Sequence, residues 1–182
     1  MEFSGKVALV TGGAEGIGKG IVETLMAHGI LGVAVLDINE EKGMETCKHF
    51  TSKYSDSKVE FFRCDVSEEE SLKDTFFRAY QHFGRLDIVC NNAGIVDEYN
   101  WDRMLKTNLH AVIRGTYLAV ELMGTKYGGN GGVVVNVSSI AGLLNQFSLC
   151  PVYCAAKYGV VGFTRSAAVS NMYARYQESC VE

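Results

Sequence analysis

Lys6-Val7-Ala8-Leu9-Val10-Thr11-Gly12-Gly13-Ala14-Glu15-Gly16-Ile17-Gly18 passes from an apolar run of strand length into a turn that holds four glycines. Beyond it Ile17, Ile21 and Leu25 recur at helical spacing as far as His28-Gly29, where glycine suits a helix C-terminus. A glycine-rich turn between strand and helix lets backbone N–H groups approach a pyrophosphate at the helix N-terminus. The next strand, Gly32-Val33-Ala34-Val35-Leu36, ends on Asp37, nineteen residues past Gly18. A carboxylate there can accept hydrogen bonds from ribose hydroxyls. A ribose 2′-phosphate would instead face Asp37 and Glu15, and like charges about 4 Å apart cost about 4 kcal/mol at an effective dielectric near 20. The pattern predicts NAD in preference to NADP.

The alternation of short apolar runs with longer helical patterns continues along the chain. A third strand at residues 59–64 stops at Asp65, and Ser67 with Glu70 has the spacing of a capping box. Leu72, Phe76, Tyr80 and Phe83 form the apolar stripe of the following helix, which Gly84 ends before a strand at residues 86–92. A long helix is predicted over residues 101–127. The run Val133-Val134-Val135-Asn136-Val137 reads as a strand buried on both faces, and a last helix runs from near Pro151 to about Gln177. This order predicts an α/β fold: one domain over residues 1–182, a doubly wound parallel sheet of Rossmann type in three layers, α/β/α.

Composition agrees with one packed domain, since 47% of the 182 residues are hydrophobic and 21% charged. A net charge of −4 offers no basic footprint for nucleic acid. No apolar run approaches the roughly 20 residues that span a bilayer, and the opening Met1-Glu2-Phe3 leaves no room for a signal sequence before the first strand, so a cytoplasmic protein is expected. The six cysteines form no CxxC pair and read as reduced thiols, and the four histidines share no ligand spacing, so no metal is expected.

Further along stand Asn91-Asn92-Ala93-Gly94, Asn108, Ser139, and Tyr153 with Lys157. With Thr11, Gly12, Gly16, Ile17 and Gly18 they resemble the short-chain dehydrogenases/reductases, and the resemblance covers the whole chain. It implies NAD-dependent oxidation of a secondary alcohol to a ketone by a homodimer or homotetramer. In that scheme Tyr153 takes the alcohol proton, Ser139 hydrogen-bonds the substrate oxygen, Lys157 also holds the nicotinamide ribose, and Asn108 supports a water in the proton relay. Asp37 and Ile38 would lie at the adenosine ribose, Asp65 and Val66 beside the adenine, and Asn91, Ala93 and Gly94 along the adenosine. The residue types suit the chemistry, because positions four apart share a helix face and an ammonium beside a phenol favours the phenolate that acts as base. Taken singly, each feature has a plainer alternative: a Tyr/Lys pair on any amphipathic helix, a strand-end turn at Asn91-Asn92, an ordinary loop acid at Asp65.

The resemblance also implies two further strands and a substrate-covering segment after the last helix. The ending Gln177-Glu178-Ser179-Cys180-Val181-Glu182 does not resemble the strand due there. The expectation is therefore a sheet lacking its last strands, with Val133–Val137 left as an exposed apolar edge. Two functions stay open: an active dehydrogenase, or a truncated nucleotide-binding or subunit-pairing protein that turns nothing over.

Overall fold

Residues 3–144, 149–169 and 177–181 are described in the computed structural model. Six parallel strands, β1 (Val7–Thr11), β2 (Gly32–Asp37), β3 (Lys58–Arg63), β4 (Ile88–Asn91), β5 (Val133–Val137) and β6 (Gln177–Val181), lie in the order β3-β2-β1-β4-β5-β6. The chain winds outward from β1 to β3, returns to the centre at β4 and winds outward again. This reversal between β1 and β4 opens a crevice at the carboxyl ends of the strands.

Both faces of the sheet are covered. On one, Val10, Val33 and Val35 pack with Val22, Leu25 and Met26 of α1 (Gly16–Ala27) and Phe50 of α2 (Glu40–Lys53). On the other, Leu9, Leu36 and Val134 meet Leu72 and Phe76 of α3 (Glu69–Phe83) and Ala119 and Met123 of α5 (Ala111–Met123). Strands β1 and β2 are buried almost throughout, as a parallel sheet between helical layers requires.

The structure corrects the sequence reading in several places. Gln177–Val181 is a strand and pairs in parallel with Val133–Val137, so β5 has a neighbour on each side and the predicted exposed edge is not found. The last helix, α6 (Pro151–Val169), ends short of Gln177. The ending looks unlike a strand because it lacks an apolar run, yet backbone pairing requires none. The predicted capping box does not form: α3 begins at Glu69, and Ser67 instead donates its hydroxyl to Asp65 at 2.6 Å. The helix expected over residues 101–127 is α4 (Trp101–Leu105), a π turn at Lys106–His110, α5, and a short 3-10 turn at Thr125–Tyr127. Burial of β5 alternates, with Val134 and Asn136 buried and Val133, Val135 and Val137 only partly so.

At the opposite end of the sheet from the crevice, Asp87 ties β1 to β4. Its carboxylate accepts from the Val7 amide at 2.9 Å and from Arg85 at 2.8 Å and 2.6 Å, with Lys6 at 3.4 Å. Burial by itself would raise the Asp87 carboxyl, but the Arg85 and Val7 hydrogen bonds and the nearby cations outweigh it and hold the group below its ordinary value.

Candidate active site

The crevice is a cleft of about 380 Å³, and the glycine turn forms one of its walls. That wall needs glycine for steric reasons. A Cβ on Gly18 would sit 2.0 Å from the Gly12 carbonyl oxygen, and Gly12, at φ +64, would bring one to 2.9 Å from the Ala93 Cα. Gly12, Glu15, Gly16 and Ile17 of the turn line the cleft, whereas Gly18 packs against Gly12 and does not. Ile17, 71% exposed, stands at the rim with Ile38.

Asp37 lies at the end of β2 as predicted, and each of its oxygens already accepts one backbone N–H, from Ala14 at 3.1 Å and from Asn39 at 3.0 Å. One lone pair per oxygen remains for a ligand hydroxyl. Glu15, also on the wall, is ion-paired with Lys42. Asp65 and Val66 line the far side, where Asp65 is fixed by accepting from the Ser67 amide at 3.0 Å. Cys64 lines the same wall, and burial pushes its thiol up, so no thiolate faces the cleft there.

One predicted residue is placed differently. The Asn91 side chain turns into the core, where it donates to Asn136 Oδ1 at 2.8 Å, and Asn91 does not line the cleft. Its neighbour Asn92 does, and it props the glycine turn by donating to the carbonyls of Thr11 at 3.0 Å and Gly12 at 3.2 Å. Asn91 is the last residue of β4 and its side chain lies on the face covered by α5, against Val112 and Thr116, whereas Asn92 has already left the strand. Ala93 and Gly94 line it as expected.

Of the remaining four residues, two approach Gly94. A Cβ on Gly94 would lie 3.4 Å from Asn108 Oδ1 and 3.7 Å from Lys157 Nζ. Asn108, on the π turn and fully buried, accepts from the Ile95 amide at 2.8 Å and donates to the Ile95 carbonyl at 2.7 Å. Its side chain therefore anchors the loop after β4, which leaves one N–H and one lone pair beyond these two bonds. Lys157, 3% exposed, donates to the Val137 carbonyl at 3.0 Å, and its Nζ lies 5.7 Å from the Tyr153 ring centroid. Ser139 caps the turn Ile140–Gly142 and accepts from the Ala141 amide at 3.2 Å, a bond that does not use its hydroxyl proton. That turn is seated against α6: a Cβ on Gly142 would lie 2.7 Å from the Lys157 carbonyl. Asn108 and Lys157 thus meet at Gly94 on the edge of the cleft, with Tyr153 one helical turn before Lys157 and Ser139 on the turn packed against α6; none of the four lines the cleft itself.

The family model described as short chain dehydrogenase matches residues 6–176. The chain belongs to the short-chain dehydrogenase family. It is 48% identical to rat 15-hydroxyprostaglandin dehydrogenase [NAD(+)] over 170 residues and 47% identical to the human enzyme of that name, a match covering 93% of this chain and 63% of each relative. This chain spans less than two thirds of the length of those relatives. A 3beta-hydroxysteroid dehydrogenase 2 from Eggerthella lenta is 38% identical over 94% of this chain and 66% of its own. A short chain dehydrogenase from Mycobacterium smegmatis superimposes with a TM-score of 0.87 at 30% identity, covering 100% of this chain and 79% of that one. A Burkholderia phymatum member in complex with NAD superimposes at 0.89 with 25% identity, covering 99% and 66%.

Sequence reasoning missed Asn92 as a cleft residue, and also Ile95, Arg103 and Thr107, which complete the lining. Arg103 and Thr107 stand four apart, a helical spacing that could have placed them on one face. Among the described residues no helix is long and apolar enough to cross a membrane.

Proposed function

We propose that this chain binds NAD in the cleft and oxidises a secondary alcohol to a ketone. The observation that carries the reading is the approach of Asn108 and Lys157, with Tyr153 beside Lys157, to Gly94 at the edge of a cleft walled by a glycine turn and a strand-end carboxylate. The site fits a dinucleotide: the Gly12 to Gly18 main chain would take the pyrophosphate, Asp37 the adenosine ribose, Asp65 and Val66 the adenine, and Lys157 the nicotinamide ribose. Bound NAD would supply the hydride acceptor.

Each residue then has one task. Ser139 donates to the substrate oxygen and fixes the carbinol carbon. Tyr153 accepts the hydroxyl proton as hydride leaves that carbon, and the Lys157 ammonium favours the phenolate. Asn108 holds the floor at Ile95 and offers its remaining capacity to a water that passes the proton on. The substrate class we favour is a hydroxy fatty acid or a prostaglandin 15-hydroxyl, supported by 48% identity to the rat enzyme named for that substrate. A cytoplasmic homodimer or homotetramer completes the proposal. Support comes from five cysteines that form no disulfide among the described residues and from a groove of about 450 Å³ on α5 beside the half-exposed Tyr117.

The test is formation of NADH with a panel of secondary alcohols, using the parent and Tyr153→Phe. The parent should turn over and the variant should not, while both bind NAD alike, because the ring stays and only the proton acceptor is lost. Activity of Tyr153→Phe within about threefold of the parent would refute Tyr153 as the base.

A further inference from the structure

The N-terminus of α6 is capped from far away in the sequence. A helix leaves its first four N–H groups without intrahelical partners, and serine, threonine, aspartate or asparagine ordinarily caps them locally. Here Cys150 occupies the cap, its carbonyl accepting from Cys154 at 3.0 Å, and Pro151 has no N–H to satisfy. The next two N–H groups, on Val152 and Tyr153, are both taken by the half-buried carboxylate of Glu98, at 3.3 Å and 2.8 Å. Glu98 stands on the loop between β4 and α4. That loop begins on the cleft floor at Asn92, Ala93 and Gly94, and Asn108 pins it at Ile95. It is pinned again where the Asp97 carboxylate accepts from the Asn100 amide at 3.1 Å.

We infer that Glu98 is a positioning residue for Tyr153, holding the main chain of the reacting tyrosine in register with the loop that floors the cofactor cleft. The inference rests on the dehydrogenase reading. Its physical basis is the shortness of the path: the Glu98 hydrogen bond reaches the backbone nitrogen of Tyr153 itself, so loosening it lets the phenol drift relative to Gly94 and Lys157. A misplacement of about 1 Å can cost on the order of a hundredfold in rate. A carboxylate at this place also complements the positive end of the helix.

The experiment compares the parent with Glu98→Ala and Glu98→Gln by amide hydrogen exchange over residues 151–157, NAD titration, and NADH formation expressed per NAD-binding site. In Glu98→Ala the Val152 and Tyr153 amides should exchange faster and kcat should fall about 10- to 100-fold, with KM and the NAD Kd within about twofold. Glutamine keeps one carbonyl oxygen, so Glu98→Gln should exchange faster at Val152 alone and recover kcat to within about fivefold. Unchanged exchange in Glu98→Ala, or faster exchange with kcat per site unaltered, would overturn the inference. So would a Glu98→Gln protein as slow as Glu98→Ala. If Glu98→Ala does not fold, the glutamine variant decides: protection lost at both amides, or at neither, overturns the assignment. A parent that reduces no NAD with any alcohol sinks the dehydrogenase reading instead, and the exchange comparison still decides the cap.

Discussion

Replacing Asn136 by alanine should destabilise the protein by about 3–5 kcal/mol. Asn136 lies at the centre of a buried polar cluster in which Asn91, Thr116, Asn136 and Thr164 are each at most 3% exposed. Its Oδ1 accepts from Asn91 at 2.8 Å and from Thr116 at 3.2 Å, and its Nδ2 donates to Thr164 Oγ1 at 3.0 Å. Thr116 can fall back on the Val112 carbonyl at 2.9 Å, but Asn91 keeps only contacts of 3.4 Å and 3.5 Å, and Thr164 loses this donor. Two buried polar groups left short of partners cost about 1–3 kcal/mol each, and the small void adds to that, so a loss of about 3–5 kcal/mol is expected. Urea unfolding should show a lower midpoint with an unchanged slope. Adding Thr164→Val should recover about 1 kcal/mol or more, because the hydroxyl stranded by the first change is then removed. Thr164 stands seven residues past Lys157 on α6, so the pair also pins the rotation of the helix that carries Tyr153. A loss below about 1 kcal/mol in Asn136→Ala, or strict additivity with Thr164→Val, would refute the reasoning.

Other consequences are as direct. Titration of both cofactors should give NAD well ahead of NADP in the parent, and Asp37→Ala should narrow the gap about tenfold or more by removing the charge a 2′-phosphate would meet; equal affinities in the parent would sink the NAD assignment. Gly18→Ala, whose Cβ would lie 2.0 Å from the Gly12 carbonyl, should abolish measurable NAD binding in calorimetry, whereas the same change at Gly20, which meets nothing within 4 Å, should leave it within about threefold. Because the Asp87 carboxyl is held below its ordinary 3.8 in the folded protein, its contribution to stability is present above that value and lost as pH falls through the lower, folded value. The stability gap between the parent and Asp87→Asn should therefore be full at pH 6 and shrink below about pH 4 in urea titrations. A gap that does not vary with pH would contradict the ionic tie at the sheet's lower end.

Much of the site is legible in the sequence because it depends on local chemistry. The turn between strand and helix folds back on itself so tightly that a side chain at Gly18 would meet the Gly12 carbonyl, which is why glycine marks it in the sequence. Asp37 is set by the end of its own strand, and Tyr153 and Lys157 by one turn of helix. What the sequence left undecided are contacts between distant segments. Whether Asn91 or Asn92 faces the cleft depends on which side of β4 meets α5, and the π turn at Lys106–His110, which turns Asn108 inward, widens a helix by one residue without breaking its apolar pattern. Strand pairing of Gln177–Val181 with β5 is carried by the backbone, which has no signature in side-chain polarity. Glu98 is the clearest case: no periodicity relates it to Tyr153, 55 residues on, and only the packing of the loop after β4 against α6 brings its carboxylate within 2.8 Å of that amide.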